Sequence, residues 1–127
     1  MSSRIHVRSR DELVELVRTH IKQHGPRCDL NHLDVSGLND FHKVFDGTSF
    51  NGDVSGWDVS NATTLFGLFN RTPFTGDVSK WNVSKATNLA FMFANTPFNG
   101  DLSAWDLSNA STIEGMFYQG AFNGDIA

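Results

Sequence analysis

The sequence predicts an α/β solenoid of 24-residue coils, covered at its N-terminal end by an amphipathic helix. Three observations support this prediction: a motif that recurs at a fixed interval, an alternation of apolar and polar residues inside each copy, and the pattern of an amphipathic helix in the first 25 residues. A fixed period of about 20 to 50 residues is typical of stacked-repeat proteins. We therefore expect one structural domain in which each copy contacts mainly its neighbours.

The recurring motif is Phe-x-Gly-Asp, which begins at Phe50, Phe74, Phe98 and Phe122. Full copies occupy residues 50–73, 74–97 and 98–121, and a degenerate copy lies upstream at 26–49, where Leu33 takes the position of Trp57. Terminal repeats of a stack are commonly atypical, because one side faces a cap or solvent. The predicted organisation is therefore a strand and helix cap at 1–25, followed at 26–127 by a four-coil solenoid with a C-terminal stub.

Each coil is predicted to hold one short parallel strand and one short helix. Trp57-Asp58-Val59 alternates apolar, polar and apolar residues, which predicts a strand with Trp57 and Val59 facing inward. After a potential helix N-cap at Ser60 or Asn61, apolar residues recur with helical spacing at Leu65, Leu68 and Phe69. Asn51-Gly52 is typical of a turn. This layout is that of a leucine-rich-repeat-like solenoid.

The first 25 residues follow a different pattern. Residues 4–7 could form a brief strand, and Ser9 with Glu12 forms a capping box that predicts the start of a helix. An apolar stripe follows, and Gly25-Pro26 predicts the end of the helix; the stripe consists of Leu13, Leu16, Val17 and Ile21. We expect this amphipathic helix to cover the first coil, and a separate interaction helix is the alternative.

Composition and charge limit the possible functions. The single Cys28 excludes an internal disulfide, the N-terminus has no apolar run typical of a signal peptide, and no segment is apolar enough to span a membrane. A cytoplasmic monomer is the prediction. Residues 30–127 hold four basic and ten acidic side chains, a net charge of −6, which argues against direct nucleic-acid binding.

Stacking would align acidic residues in two columns. The first is Asp29, Asp53, Asp77, Asp101 and Asp125; the second is Asp34, Asp58, Asn82 and Asp106. Carboxylates of the first column could accept backbone N–H bonds in turns or hold Ca²⁺, although one Asp per coil supplies few of the six to eight oxygens that Ca²⁺ requires. The second column is predicted to face outward, either as a binding stripe for a basic protein surface or as a solubilising stripe.

Other candidate residues are less regular. Partner contacts are expected where the copies differ at exposed positions, which include Arg71, Lys80, Lys85, Glu114 and Tyr118. A second group repeats every four residues and could hold zinc or have ordinary polar and packing roles; it consists of His20, His24, Cys28 and His32. No metal or cofactor is predicted. The sequence has no nucleophile elbow, phosphate loop or paired His and carboxylate signature, so we expect no enzyme activity.

The residues from Asp29 to Ser36, and the run Phe-Asn-Gly-Asp-Val-Ser-x-Trp-Asp-Val-Ser-Asn-Ala-Thr that begins at Phe50, resemble the BspA-like leucine-rich-repeat family over residues 26–126. The resemblance implies a repeat fold and non-enzymatic surface binding. Many larger members are surface or adhesin-like proteins, whereas short members without a signal sequence occur in bacterial and phage genomes.

Three functional hypotheses follow. The first is a non-enzymatic protein-binding repeat module that acts through its acidic surface. The second is an acidic inhibitor of the phage anti-defence type, which mimics a nucleic acid and occupies the basic groove of a nucleic-acid-binding complex. The third is a fragment of a surface adhesin.

Overall fold

The structure is a computed structural model that describes residues 4–126; residues 1–3 of the predicted cap and residue 127 of the stub lie outside the described residues. Its regular elements are strand β1 (Ile5–His6), helix α1 (Arg10–His24) and strand β2 (Leu33–Asp34). β1 pairs in parallel with β2, with Ile5 opposite Leu33 and His6 opposite Asp34. The N-terminal segment is thereby attached to the first repeat.

Helix α1 has the ends that the sequence predicts. Ser9 is the N-cap, and its side chain accepts a hydrogen bond from the Glu12 amide; at the other end the Gly25 amide donates to Ile21 O. Leu13 and Val17 are fully buried in the same core as the apolar residues of the repeats. The apolar stripe of α1 therefore packs onto the repeats.

We number the repeats 1 (26–49), 2 (50–73), 3 (74–97) and 4 (98–121). Parallel bridges join residues that lie 24 positions apart: Asp29 to Asp53, Asp40 to Thr64, Thr64 to Asn88, Asn88 to Thr112, and Leu102 to Ile126. Each repeat thus contacts the next one in the same register. The period in the sequence is the period of these contacts.

The strand predicted at residues 57–59 does not form. Trp57 and Val59 are buried and Asp58 is exposed, as the alternation predicts. However, the Trp57 amide donates to Val54 O at 3.0 Å and the Ala62 amide donates to Val59 O at 2.9 Å, both within the same repeat. These turns use the Trp57 amide and the Val59 carbonyl, which are the two ends of the predicted strand. The ladder between repeats forms at Thr64 and its equivalents instead.

The helix predicted at residues 65–69 is replaced by turns. Leu65, Leu68 and Phe69 are buried, as the spacing predicts. Every second amide of this segment donates to the following repeat, as from Leu65 to Asn88 O at 2.8 Å, so it is not available for a helical bond. Gly67 and Arg71 have φ angles of 61° and 59°. These left-handed residues interrupt a right-handed helix.

Aromatic side chains form continuous columns through the core. Phe69 and Phe93 stack with ring centroids 5.6 Å apart, and Trp57 and Trp81 with centroids 6.3 Å apart. Each indole N–H donates to a backbone carbonyl of the preceding repeat at 2.9 to 3.0 Å; the pairs are Trp57 with Leu30, Trp81 with Val54, and Trp105 with Val78. The Trp residues therefore join neighbouring repeats by packing and by hydrogen bonding.

Candidate functional site

Asp residues of both acidic columns close short turns. The Asp58 Oδ1 atom accepts hydrogen bonds from the Ser60 amide at 3.0 Å and from the Ser60 hydroxyl. Asp53 accepts the same pair of bonds from Ser55 at 2.9 and 2.7 Å. Amide bonds of this kind, at 2.9 Å, recur at Asp77, Asp101 and Asp106. Of the roles considered for the first column, the structure thus shows carboxylates that accept backbone N–H bonds in turns.

These hydrogen bonds favour the ionised carboxylates. The Ser60 hydroxyl, followed by the Ser60 amide, holds the pKa of Asp58 below its ordinary value. At Asp53 the Ser55 amide is the largest cause of the lowered pKa. The pKa values of Asp77, Asp101 and Asp106 are also lowered, in each case first by the hydroxyl of the Ser two residues later. All five side chains are therefore negatively charged at neutral pH.

We expect the stability of the protein to fall under acid conditions. A carboxyl group whose pKa is lower in the folded state stabilises that state fully above its unfolded pKa, about 3.9, and this contribution is lost as the pH falls through the lower folded pKa. Chemical unfolding at a series of pH values from about 6 down to about 2 measures the effect. The Asp53→Asn, Asp58→Asn, Asp106→Asn triple variant should lose less stability over that range. Equal pH profiles for the two proteins would contradict this role.

The two columns lie on one continuous surface. Lys80 borders a shallow depression with Ser55 and Asp77, and a second depression with Asn82 and Asp106. We name this surface the acidic face and define it by Asp53, Asp58, Asp77, Asp101 and Asp106, which are all exposed. Within residues 4–126, none of these five carboxylates forms an ion pair.

A family model described as a Mycoplasma protein of unknown function, DUF285, matches residues 16–127, which include the second half of α1 and every repeat. The chain belongs to the DUF285 family. DUF285 is related to the BspA-like repeat proteins that the motif resembles. No curated protein and no solved structure is similar enough to this DUF285 protein to count as a match.

The predicted outward column of this DUF285 chain is not uniform. Asp34 lies 3.9 Å from Arg4 and 3.7 Å from His6, because β1 runs beside β2, and its side chain is only 29 % exposed. Asn82 accepts a hydrogen bond from the Ser84 amide at 3.0 Å, as the Asp residues of the column do from their Ser partners. Asp58 and Asp106 are thus the exposed charged members, and Asn82 is a neutral member with the same local geometry.

The structure does not bring the remaining predicted contact residues together with the acidic face, apart from Lys80. Arg71 Nε donates to Asp46 at 3.0 Å, and Lys85 Nζ donates to Asn61 at 3.2 Å. Glu114 is exposed, and Tyr118 is 56 % exposed. Within the described range 4–126, no hydrogen bond or ion pair joins Arg71, Lys85, Glu114 or Tyr118 to the acidic face.

The histidines of the possible zinc group meet only in part. His20 and His32 approach each other with their Nε2 atoms 3.1 Å apart, and His20 Nδ1 lies 2.7 Å from Leu16 O. Cys28 is buried, and burial raises the pKa of its thiol. Among the residues that the structure describes, no three His, Cys, Asp or Glu side chains are grouped closely enough to hold a metal ion.

Asp53, Asp77 and Asp101 are not among the contact residues that the sequence predicts, although they share the spacing Asp-x-Ser with Asp58 and Asp106, and this spacing could have identified both columns.

Over residues 4–126, no helix has the length and apolar character needed to cross a membrane.

Proposed function

We propose that this DUF285 protein is a non-enzymatic binding module, built as a short leucine-rich-repeat-like solenoid, whose acidic face binds a basic surface of a protein partner. The observation that carries the proposal is that five exposed carboxylates lie on one surface without an ion-pair partner among the described residues. Charges left unpaired on one face create a field that attracts surfaces of the opposite sign and accelerates association.

The rigidity of the acidic face supports a binding role. Each of its carboxylates is fixed by one or two hydrogen bonds from a Ser two residues later, and the turn is repeated in register from one repeat to the next. A charge pattern fixed in advance loses little conformational entropy when it binds, so more of the interaction energy contributes to affinity.

The nucleic-acid mimic is a narrower form of the same proposal. The regular spacing of the carboxylates along two columns is the feature that favours it, because a basic groove that binds phosphates would accept a similar row of negative charges. In that case the partner is a nucleic-acid-binding complex, and DNA or RNA competes with this protein for the groove.

The test is affinity capture from a lysate of the source cells with three matched baits. The first is the unaltered protein, and the second is the Asp53→Asn, Asp58→Asn, Asp106→Asn variant, in which Asn82 provides the precedent for an amide that keeps the turn. The control removes three exposed charges elsewhere, by Asp11→Asn, Glu15→Gln and Glu114→Gln. We expect the first bait and the control to retain a partner. The amount of that partner captured by the second bait should be lower by at least about tenfold.

Salt and nucleic acid distinguish the two forms of the proposal. Binding through the acidic face should weaken steeply between about 50 and 500 mM salt, because exposed charges are screened. Release of the partner by added DNA or RNA supports the mimic, and retention supports an ordinary protein-binding module. A partner that binds equally to all three baits would contradict a role for the acidic face.

A further inference from the structure

Two histidine side chains meet at the boundary between α1 and repeat 1. His20 lies in the C-terminal half of α1, and His32 immediately precedes β2. Their Nε2 atoms are 3.1 Å apart, and both residues are partly exposed. Solvent therefore reaches the pair, and the pair joins two parts of the chain that pack on each other.

The orientation of the His20 ring is fixed within the helix. Its Nδ1 atom lies 2.7 Å from Leu16 O, one turn earlier in α1. Because a carbonyl oxygen only accepts hydrogen bonds, Nδ1 carries a proton, and the neutral ring has its lone pair on Nε2. Histidines that bind metal ions commonly donate their second ring N–H to a backbone carbonyl in this way, which directs the other nitrogen at the ion.

The distance between the two Nε2 atoms suits two ligands of one ion. Imidazole nitrogens bind Zn²⁺ at about 2.0 to 2.1 Å, so nitrogens 3.1 Å apart can both reach one ion, with an N–metal–N angle of about 100°. This angle lies between the square-planar and the tetrahedral values. The ring centroids are 5.0 Å apart and the ring planes are inclined by 50°, so the rings meet at an angle, as two ligands of one ion do.

We propose that His20 and His32 form a binding site for one divalent transition-metal ion, in which the two Nε2 atoms are the protein ligands and water completes the coordination. Imidazole nitrogen suits Zn²⁺, Ni²⁺ and Cu²⁺, whereas Mg²⁺ and Ca²⁺ prefer oxygen ligands. Without metal, His32 Nε2 donates a hydrogen bond to His20 Nε2. When the ion binds, the proton of His32 moves to its Nδ1 atom and the ion takes its place.

The site consists of two protein ligands. Within residues 4–126, no third His, Cys, Asp or Glu side chain lies close enough to bind the same ion. His24 follows His20 by one helical turn, with ring centroids 5.9 Å apart, but it is exposed and no hydrogen bond in the described range joins it to the pair. Since two histidines at positions i and i+4 of a helix are themselves a common metal-binding arrangement, His24 provides the matched control.

Metal binding at this pair would attach α1 more firmly to repeat 1. His20 belongs to the helix that packs Leu13 and Val17 into the core, whereas the carbonyl of His32 accepts the Ile5 amide beside β2. An ion that binds the folded chain but not the unfolded chain stabilises the folded state by mass action. The proposed site shares no residue with the acidic face, so its test does not depend on the proposed function.

Titration of the full, untagged chain with ZnCl₂ at neutral pH tests the proposal. Calorimetry should show binding of Zn²⁺, and the melting temperature should rise with the Zn²⁺ concentration. In NMR spectra the ring signals of His20 and His32 should shift, with the largest ¹⁵N change at Nε2, and those of His6 and His42 should not. MgCl₂ should leave all of these histidine signals unchanged.

Three variants locate the ion. His20→Gln and His32→Gln should each weaken Zn²⁺ binding by at least about tenfold, since loss of even a hydrogen-bond partner of a metal ligand costs about 10- to 100-fold. His24→Gln should bind Zn²⁺ as the unaltered protein does. Far-UV circular dichroism without metal checks that α1 is retained, and the histidine shifts of the unaltered protein decide the matter if a variant does not fold.

Two results would overturn the proposal. Loss of binding in His24→Gln, with binding retained in His32→Gln, would place the ion on the helix alone. Absence of histidine shifts with Zn²⁺, Ni²⁺ and Cu²⁺ would show that the pair is only a hydrogen bond.

Discussion

Replacing Trp81 with alanine is expected to lower the free energy of unfolding by about 4 kcal/mol, the size typical of removing a buried aromatic side chain. Trp81 is 3 % exposed, and its ring stacks on Trp57 and Phe69 with centroids 6.3 and 6.0 Å apart. The substitution also removes one of the two donors of Val54 O, which accepts the Trp81 indole N–H and the Trp57 amide, both at 3.0 Å. Unfolding in urea, followed by far-UV circular dichroism, measures the change.

The Trp81→Phe variant separates packing from hydrogen bonding. Phenylalanine keeps an aromatic ring in the stack but has no N–H for Val54 O. Because Val54 O still accepts the Trp57 amide, we expect the hydrogen-bond part of the loss to be only about 0.5 to 1.5 kcal/mol. Tyr118→Ala provides the surface control, because Tyr118 is 56 % exposed, and its effect should stay within about 0.5 kcal/mol. A Trp81→Ala protein as stable as the Tyr118→Ala protein would contradict the role of the Trp column.

The second large effect is expected at Gly52, where alanine should destabilise the protein by about 3 kcal/mol through overpacking. A β-carbon added there would overlap the backbone carbonyl oxygen of Cys28 and lie 2.7 Å from Phe50 Cε1. The same carbonyl accepts the Asp53 amide at 3.1 Å. Since backbone cannot move aside as a flexible side chain can, repeat 2 would have to separate from repeat 1.

Gly37→Ala is the matched control for Gly52→Ala. A β-carbon at Gly37 meets no atom within 4 Å, and the residue is exposed. We expect this variant to unfold at the same urea concentration as the unaltered protein, or slightly higher, because alanine reduces the conformational freedom of the unfolded chain. Equal midpoints for Gly52→Ala and Gly37→Ala would show that the close contact with Cys28 does not limit stability.

The sequence was sufficient to identify the inward-facing positions but not the backbone that carries them. Repetition selects Trp57, Val59, Leu65 and Phe69 as core whatever the local conformation is, because equivalent positions must stack. The alternation and the helical spacing then suggested a strand and a helix, and the chain forms turns at both places. The predicted helix does not form because residues with a left-handed backbone interrupt it. These residues include Arg71 and Phe91, and neither residue type has a preference for that conformation.

The role of Gly52 was also hidden in the sequence. Asn-Gly is a common turn pair, so the pattern predicted a turn and nothing about the space around Gly52. Gly52 is not among the residues with positive φ, and the structure requires a small residue because Phe50 and the Cys28 carbonyl lie against its Cα. Such a requirement depends on a residue 24 positions earlier, which local sequence rules do not consider.

At the candidate site, the sequence predicted the carboxylate columns and their outward orientation at Asp58 and Asp106. It did not predict that Asp34 lies beside Arg4 and His6, because that contact depends on the pairing of β1 with β2, which are far apart in the chain.

The indole bonds have a consequence for how such a chain can change length. Each Trp donates to a carbonyl 27 residues earlier, and rings at equivalent positions of neighbouring repeats, such as Trp57 and Trp81, stack on each other. Duplicating a 24-residue unit in the gene preserves all of these contacts and adds one more set, whereas inserting a single residue within a repeat displaces every later partner. Lengthening by whole units is therefore the tolerated route, and the number of repeats can vary among descendants while the cross-section stays constant.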